Sequence, residues 1–381
     1  MLDSVGMPEG LSMDIEHYLR GMVEHQASDL FFSAGTPVGI KIEGRSQRFD
    51  DRPLTAKDVQ RLAYSLLDDE QIAEFESELE LNLAVARESL GQFRINLYRQ
   101  RGSVAMVIRH IKSEIPSIEA LNLPPLLEEL IMIPRGLILV VGAAGSGKST
   151  TLASMIDYRN RNKTGHILTI EEPIEFVHQH KQSIVDQREL GLDTLSYSNA
   201  LKNAMREAPD VILIGEIRDR ETMKHAIAYA ETGHLCLSTL HSSNANQTLD
   251  RIINFFPETA HRQLFVDLSD HLQAIVSQRL VPSVDGHRVP AVELLVRTPY
   301  VADLIRKNDI DGIKEAMKEG GQAGMKTFDQ ALLDLYREGR ITKENALAHA
   351  DSRNDLGLAI RMLDQEQPEK MEVESPAGRL G

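Results

Sequence analysis

The sequence predicts an α/β protein in which a parallel-sheet domain follows a smaller α+β domain. Residues 142–150, GAAGSGKST, come directly after the apolar run 137–141 and directly before a helical pattern. This strand–loop–helix order is the setting of a phosphate-binding P-loop. Three more strand patterns follow at 166–170, 211–214 and 235–240, with helical patterns between them. Such alternation is typical of a parallel sheet with right-handed crossovers.

The loop at 142–150 is predicted to hold the phosphates of a nucleotide. Its glycines allow backbone N–H groups to turn inward at a helix N-terminus. Lys148 supplies a positive charge for the β- and γ-phosphates, and the Ser149 hydroxyl is placed to hold Mg²⁺. The predicted nucleotide-binding residues of the loop are Gly142, Ala143, Ala144, Gly145, Ser146, Gly147, Lys148, Ser149 and Thr150.

Length and local composition predict four segments in the 381 residues. The α+β domain covers 1–112, and a linker with three prolines covers 113–125. The P-loop domain with its C-terminal helices covers 126–364. Residues 365–381 are too polar to bury much apolar area, so we expect a disordered tail.

Periodicity predicts most elements of both domains. In the first domain the expected helices are 12–25, 55–67 and 69–78, and the expected strands are 29–33, 38–42, 81–87, 92–98 and 104–108. In the second domain, besides the elements around the P-loop, the expected helices include 126–132, 246–254, 260–278, 300–307, 310–319, 327–338 and 343–350, with a strand at 289–295.

Composition excludes several classes of protein. The formal net charge of −15 argues against a nucleic-acid binder, which needs a basic face. No apolar stretch approaches the ~20 residues of a membrane span, and the N-terminus lacks a signal-peptide pattern, so we expect a cytoplasmic protein without membrane insertion. Cys236, the one cysteine, lies in an apolar run and is predicted to be buried and inert.

Acidic residues follow two predicted strands at the edge where such sheets bind ligands. Glu216 comes just after strand 211–214 and is placed to orient or deprotonate an attacking water. Glu171, Glu172 and Glu175 follow strand 166–170, where either Mg²⁺ or an arginine would compensate their repulsion, unless they form a solvated acidic loop. Arg218 is expected to pair with its neighbour Asp219.

Two histidines flank the last strand of this series. His234 precedes strand 235–240 and His241 follows it. Zinc would need further ligands at metal spacing, so a hydrogen bond that reports the γ-phosphate is the favoured interpretation. His178 and His180 are predicted to be ordinary surface residues.

The first domain carries an arginine-rich stretch in an otherwise acidic chain. Arg87 and Arg99 are predicted to lie on solvated sheet faces. For Arg94, Arg101 and Arg109 the residues alone leave two hypotheses open, a solvated face or contact with phosphate, which suits a guanidinium fork.

The P-loop, the acidic stretch 171–176, the strand 210–216 and the two histidines, in this order, resemble the secretion and type IV pilus ATPase superfamily. The resemblance extends to about residue 350. It implies a RecA-like P-loop domain behind a PAS-like domain, ATP and Mg²⁺ as cofactors, and a homo-hexameric ring that docks on a pilus platform protein at the inner membrane.

The same resemblance implies residue roles. Lys148, Ser149 and Thr150 would bind phosphate and Mg²⁺, with Glu172 as a further metal contact. Glu216 would be the catalytic carboxylate and Glu175 the acid of the aspartate box. His234 and His241 would couple the nucleotide state to domain motion, and the resemblance favours phosphate contact for Arg94, Arg101 and Arg109.

Within the superfamily the chain is most similar to the retraction branch that drives twitching motility. It lacks the extra N-terminal domain and the Cys-x-x-Cys element of the assembly and type II secretion members. Glu172 stands where the branch usually has Asp, and residues 302–307 only partly match its AIRNLIRE motif. These departures favour an accessory retraction motor that works beside a paralogous ATPase.

Two other functions remain open from the sequence. One is a nucleotide-binding scaffold that tunes another motor and hydrolyses little ATP, against which the intact Lys148 and Glu216 argue. The other is a RecA-like translocase on nucleic acid, against which the acidic balance argues.

Overall fold

The computed structural model describes residues 14–42, 44–111 and 114–366. The chain forms two compact units. The N-terminal unit contains the described residues up to Glu114 together with Ile174–Val177. The P-loop unit contains Ile115–Pro173 and the described residues from His178 onward. Of the predicted tail, residues 365 and 366 end the last helix, and 367–381 lie outside the described residues.

The N-terminal unit is built on a six-stranded antiparallel sheet in the order β3-β2-β1-β6-β5-β4. Thr55 caps the second helix, because its hydroxyl accepts the N–H of Asp58 at 3.2 Å while the Asp58 carboxylate accepts that of Thr55 at 3.0 Å. Its elements are α1 Ile15–Glu24, β1 Asp29–Phe32, β2 Gly39–Ile42, β3 Arg45–Arg48, α2 Ala56–Tyr64, α3 Asp69–Glu78, β4 Glu80–Arg87, β5 Gly91–Gln100 and β6 Ser103–Ile111.

Alternation along the strands gives this sheet one apolar face. Phe93, Ile95 and Leu97 of β5 are fully buried against α1, α2 and the neighbouring strands. Arg94 and Asn96 lie between them in sequence and therefore belong to the opposite face.

The P-loop unit is built on a seven-stranded sheet in the order β13-β12-β7-β11-β10-β8-β9. All neighbouring pairs are parallel except β12 with β13. Its elements are α4 Leu126–Met132, β7 Gly136–Val141, α5 Lys148–Asn162, β8 Gly165–Glu171, β9 Ser183–Glu189, α6 Tyr197–Ala204, β10 Val211–Ile214, α7 Arg220–Glu231, β11 Leu235–Leu240, α8 Ala245–Asn254, α9 Glu258–His271, β12 Leu272–Pro282, β13 Arg288–Val296, α10 Pro299–Arg306, α11 Ile310–Glu319, α12 Phe328–Arg337, α13 Lys343–His349 and α14 Arg353–Glu366.

The central strands are buried on both faces, as their uninterrupted apolar runs predict. Every residue of β7, β10 and β11 is buried. Because these strands are parallel, their carboxyl ends meet at one edge of the sheet, and the segments that follow them lie side by side there. That edge positions the P-loop, Glu216 and His241.

One predicted helix is wrong in its second half. The helix expected over 260–278 ends at His271, and residues from Leu272 onward form β12 beside the P-loop strand β7. A short apolar run such as Ala274–Val276 fits either a helix or a buried strand, so periodicity alone does not separate these two structures. Pairing with β7 on one side and β13 on the other favours the strand.

The predicted linker is largely part of the P-loop unit. Ile118 and Leu123 are buried in the cluster that contains α4 and α5. The carbonyl of Pro116 accepts a hydrogen bond from Ser154 at 2.8 Å. The strand β9 and the helix α14, which the sequence did not indicate, complete the unit. Within the described ranges, no helix combines the length and apolarity needed to cross a bilayer.

Candidate nucleotide site

The P-loop connects β7 to α5 with its glycines in conformations that other residues avoid. Gly142 and Gly147 have φ values of 152° and 92°. A Cβ on Gly142 would lie 2.4 Å from the Ser146 hydroxyl, and one on Gly147 would lie 2.9 Å from the amide of Gln278. Both positions therefore require glycine. The loop closes tightly over the first turn of α5.

The residues of the loop fit a bound phosphate. Lys148 is nearly buried and its ammonium donates to the carbonyls of Gly142 at 2.9 Å and Ala143 at 3.0 Å. The buried Ser146 hydroxyl has no hydrogen-bond partner among the described residues. The loop ends at the N-terminus of α5, a 15-residue helix whose dipole favours an anion at that point. The half-buried Ser149 is the second residue of this helix.

Gln278 supports the loop from the neighbouring strand β12, and no local pattern indicated this role. Its side-chain oxygen accepts a hydrogen bond from Thr151 at 2.7 Å, and its amide lies against Gly147. Its backbone carbonyl lies 2.5 Å from the place of a Cβ on Gly142. Because this segment was predicted as a helix, Gln278 was not expected to contact both ends of the P-loop.

Glu216 occupies the expected place, two residues past the end of β10. Its Oε1 lies 3.2 Å from Nε2 of His241, and its Oε2 accepts a hydrogen bond from Nε of Arg218 at 2.8 Å. The carboxylate is mostly buried, with 18% of its side chain exposed. Two strand spacings of ~4.8 Å separate β10 from the P-loop strand β7, so Glu216 stands about 10 Å to the side of the loop.

An arginine compensates the acidic stretch after β8. Nη1 of Arg218 donates to Glu172 at 2.9 Å, so one guanidinium bridges Glu172 and Glu216. The prediction that Arg218 pairs with Asp219 is wrong, because Asp219 caps α7 by accepting the N–H of Thr222 at 2.8 Å. Because Arg218 pairs with Glu172, this part of the acidic stretch is not simply a solvated loop.

Glu171 and Glu175 diverge from their neighbour. Glu171 accepts hydrogen bonds from the Thr169 hydroxyl at 2.7 Å and the Gln187 amide at 3.3 Å, so it holds the ends of β8 and β9 together. Glu175 is exposed and lies in the segment Ile174–Val177, which belongs to the N-terminal unit. Its role as the acid of the box stays a prediction.

Tyr197, the first residue of α6, is a further polar group beside these carboxylates that sequence analysis missed. Its hydroxyl lies 3.2 Å from where a Cβ on Gly215 would be. Burial, with Glu172 nearby, raises the pKa of Tyr197 far above its usual range. The phenol therefore stays protonated and can only act as a neutral hydrogen-bonding group.

His234 and His241, which were predicted to act together, lie at opposite ends of β11. His241 follows β11 and contacts Glu216. His234 precedes β11, and its Nδ1 lies 3.2 Å from the carbonyl of Tyr229 and 3.1 Å from the Thr232 hydroxyl. A strand of this length separates the two by about 20 Å. His234 therefore does not reach a phosphate on the P-loop of its own chain, which corrects its predicted place in the nucleotide site.

His178 is not a surface residue. It is buried, with 8% exposed, and burial lowers its pKa to about 4, so the ring is neutral at physiological pH. His180 is exposed, as predicted, and its Nδ1 accepts the N–H of Val185 at 3.1 Å. Cys236 is fully buried, and burial raises the pKa of its thiol, which confirms the prediction of an inert cysteine.

The five arginines of the stretch 87–109 divide into two groups. Arg87 pairs with Glu16 and Arg99 with Glu76, as expected for ordinary faces of the unit. The remaining three lie in the antiparallel strands β5 and β6 and at the turn between them: Arg94, Arg101 and Arg109.

Arg94 and Arg109 stand directly opposite each other on paired strands. Nε of Arg109 donates to the nearly buried Asp29 at 2.9 Å, while most of the Arg109 side chain is exposed. Arg101 lies at the β5–β6 turn with φ 50°, about 20 Å along the strand from Arg94. The three therefore form a pair and a separate turn residue, and their contact with phosphate stays a prediction.

The site combines a P-loop containing Lys148, the supporting Gln278 on β12, and Glu216 after β10, two strands away from the P-loop strand. This combination defines a nucleoside triphosphatase of the P-loop class. The known proteins that the chain resembles place it within that class.

The family described as "Type II/IV secretion system protein" matches residues 11–334. The type IV pilus ATPase PilU of Pseudomonas aeruginosa is 52% identical over 351 residues, which are 92% of this chain and 92% of that protein. The retraction ATPase PilT of the same organism is 42% identical, covering 88% of this chain and 97% of its own length.

Among solved structures, the pilus retraction motor PilT with bound ADP superposes with a TM-score of 0.85 at 42% identity, covering 91% of this chain and all of that one. The chain belongs to the Type II/IV secretion system family, in its PilT and PilU branch of type IV pilus ATPases. The predicted RecA-like P-loop domain behind a smaller N-terminal domain is confirmed.

Proposed function

We propose that the protein is a ring-forming ATPase that couples ATP hydrolysis to retraction of a type IV pilus, as an accessory motor beside a PilT-like ATPase. The observation that carries the proposal is the network His241–Glu216–Arg218–Glu172 at the same sheet edge as the P-loop. The names of the relatives, a pilus ATPase and a retraction ATPase, support the pilus as the load.

The P-loop residues bind and orient the substrate. Lys148 exchanges the carbonyls of Gly142 and Ala143 for oxygens of the β- and γ-phosphates, and the Ser146 hydroxyl gains an acceptor. Ser149 would hold Mg²⁺, which supplies charge neutralisation on the phosphates. Gln278 keeps the loop in place while the phosphates change charge.

Glu216 acts on the attacking water. Its carboxylate takes a proton as the water oxygen bonds to the γ-phosphorus, the bond from the β–γ bridging oxygen breaks, and ADP leaves with that electron pair. His241 and Arg218 hold the two oxygens of the carboxylate from opposite sides. This fixes its orientation before the substrate arrives.

The arginines of the N-terminal unit supply the remaining positive charge. A P-loop alone does not surround a γ-phosphate, and the only arginine-rich stretch predicted for phosphate contact lies in the other unit. We therefore assign Arg94, Arg101 and Arg109 to the nucleotide, with at least one acting across a subunit boundary of a homo-hexamer. Closure of the units then depends on the γ-phosphate, and its hydrolysis releases the closure as a power stroke.

The place of action is the cytoplasmic face of the inner membrane, where the ring docks on the pilus platform protein. The net charge of −15 gives no electrostatic basis for nucleic-acid binding.

Glu172 stands in place of the branch's usual Asp and pairs with Arg218. It would approach the metal only if this ion pair opened.

A two-part experiment tests the proposal. Purified protein is assayed for ATP turnover and for mass by mass photometry, with and without ATP and Mg²⁺. Cells lacking the gene are then scored for retraction force and twitching with wild-type protein or Glu216→Gln. Turnover by hexamers, together with retraction that needs Glu216, supports an active motor. Retraction restored equally by the Glu216→Gln protein would favour a nucleotide-binding scaffold instead, and stimulation of turnover by DNA would favour a translocase.

A further inference from the structure

Three consecutive residues of β12, Ser277 to Arg279, link the P-loop to the segment that follows His241. Gln278 faces the P-loop, where it accepts a hydrogen bond from Thr151 and lies against Gly147. Side chains alternate along a strand, so Ser277 and Arg279 face the other side of the sheet. On that side lies the segment that connects His241 to α8.

Glu293 on β13 joins Ser277 to that segment. Its Oε1 accepts hydrogen bonds from the Ser277 hydroxyl at 3.0 Å and from the backbone N–H of Ala245 at 2.7 Å. Ala245 is the first residue of α8, only four residues after His241. Glu293 is 5% exposed, and a carboxylate in this environment requires such donors.

Arg279 fixes the same segment at a second point. Its Nη2 donates to the carbonyl of Ser243 at 3.2 Å and to Asp351 at 2.6 Å, while its guanidinium stacks 3.8 Å from the centre of the Phe328 ring. The segment 241–245 is therefore held to β12 directly by Arg279 and indirectly through Glu293. Neither residue contacts Glu216 itself.

We propose that Glu293 is a positioning residue for ATP hydrolysis, because it ties the segment that carries His241 to the strand whose Gln278 holds the P-loop. His241 contacts the Glu216 carboxylate, so the position of this segment sets the distance between the catalytic carboxylate and the bound phosphates. The proposal rests on the catalytic role proposed above for Glu216. A displacement of this segment by about 1 Å slows the chemical step without changing the phosphate cradle.

Steady-state kinetics of Glu293 variants test this role. Glu293→Ala is expected to lower kcat about tenfold or more while KM for ATP changes less than about twofold, since the cradle is intact. Glu293→Gln keeps an oxygen that accepts both hydrogen bonds, so it is expected to retain kcat within about threefold of wild type. In a His241→Ala background, Glu293→Ala is expected to add less than about twofold, because both act through one segment.

A matched pair of serine variants separates positioning from general destabilisation. Ser277→Ala removes one buried hydrogen bond to Glu293, and Ser183→Ala removes a partly buried hydrogen bond, 2.6 Å to the Lys163 carbonyl, on the far strand β9. Both are expected to lower Tm by similar amounts, but only Ser277→Ala lowers kcat. Equal effects on kcat, or a well-folded Glu293→Ala protein with wild-type kcat, would refute the positioning role.

Hydrogen exchange gives a readout that does not depend on turnover. In wild type, ATP is expected to protect the amides of residues 241–249, and Glu293→Ala is expected to abolish this protection while fluorescent-ATP binding is retained. Absence of ATP-dependent protection in wild type would contradict the link even if turnover is normal. Absence of turnover with protection present would instead count against the catalytic role of Glu216 and leave the link supported.

Discussion

Replacing Glu216 with Gln gives the most direct test of the catalytic network. The amide keeps the shape of the side chain and its acceptor oxygen but cannot take a proton from water. General-base catalysis by a positioned carboxylate contributes about 10²–10⁴-fold, which corresponds to about 3–5 kcal/mol of barrier. We therefore expect kcat to fall by at least about 100-fold. ATP binding should persist, because the substitution leaves Lys148 and the phosphate-binding residues of the P-loop unchanged.

The structure allows a matched control. Glu207 is also paired with an arginine, at 2.8 Å from Nη1 of Arg188, and it is 32% exposed. Glu207→Gln removes the same charge from the same kind of pair away from the sheet edge, so its kcat should remain within about twofold of wild type. The assay is phosphate release under saturating ATP, with ATP retention on the ring measured by filter binding. A fall smaller than about tenfold in Glu216→Gln, worth ~1.4 kcal/mol, would exclude Glu216 as the base and direct attention to Glu175.

Three further predictions concern the loop, the arginines and the buried Glu293. Lys148→Ala should abolish nucleotide binding and turnover together, as measured by fluorescent-ATP titration and phosphate release; normal turnover would remove the P-loop from the mechanism. Rings mixed from inactive Arg101→Ala and Lys148→Ala chains should regain turnover if the arginine acts across subunits. If turnover does not recover although the rings are shown to exchange subunits, the prediction is contradicted. Titrating wild-type subunits into each mutant checks that hydrolysis does not require several intact sites at once. Burial raises the pKa of Glu293 from 4.5 to about 7, so the folded state binds its proton more tightly than the unfolded state. Its contribution to stability, about 3 kcal/mol, is therefore lost as pH rises from 4.5 to 7, and urea titrations of Glu293→Gln should show a flatter dependence over that interval.

Elements with local signals were predictable from the amino-acid sequence. The glycines of the P-loop and the uninterrupted apolar strands each depend on a few neighbouring residues, so they were predicted with nearly their observed bounds. The order of strands and helices then required a parallel sheet, and the parallel sheet required Glu216 to lie at the nucleotide edge.

Contacts between residues distant in sequence became known from the folded chain. His234 and His241 look equivalent in sequence, but a strand has a direction, and its two ends lie at opposite edges of the sheet. β12 was predicted as helix because a short apolar run fits both periods, and its pairing with β7 arises from contacts distant in sequence. Gln278 on β12 and Glu293 on the adjacent β13 acquire their contacts through the pairing of these strands. Their partners Thr151 and Ala245 are 127 and 48 residues away, and no local pattern records such distances.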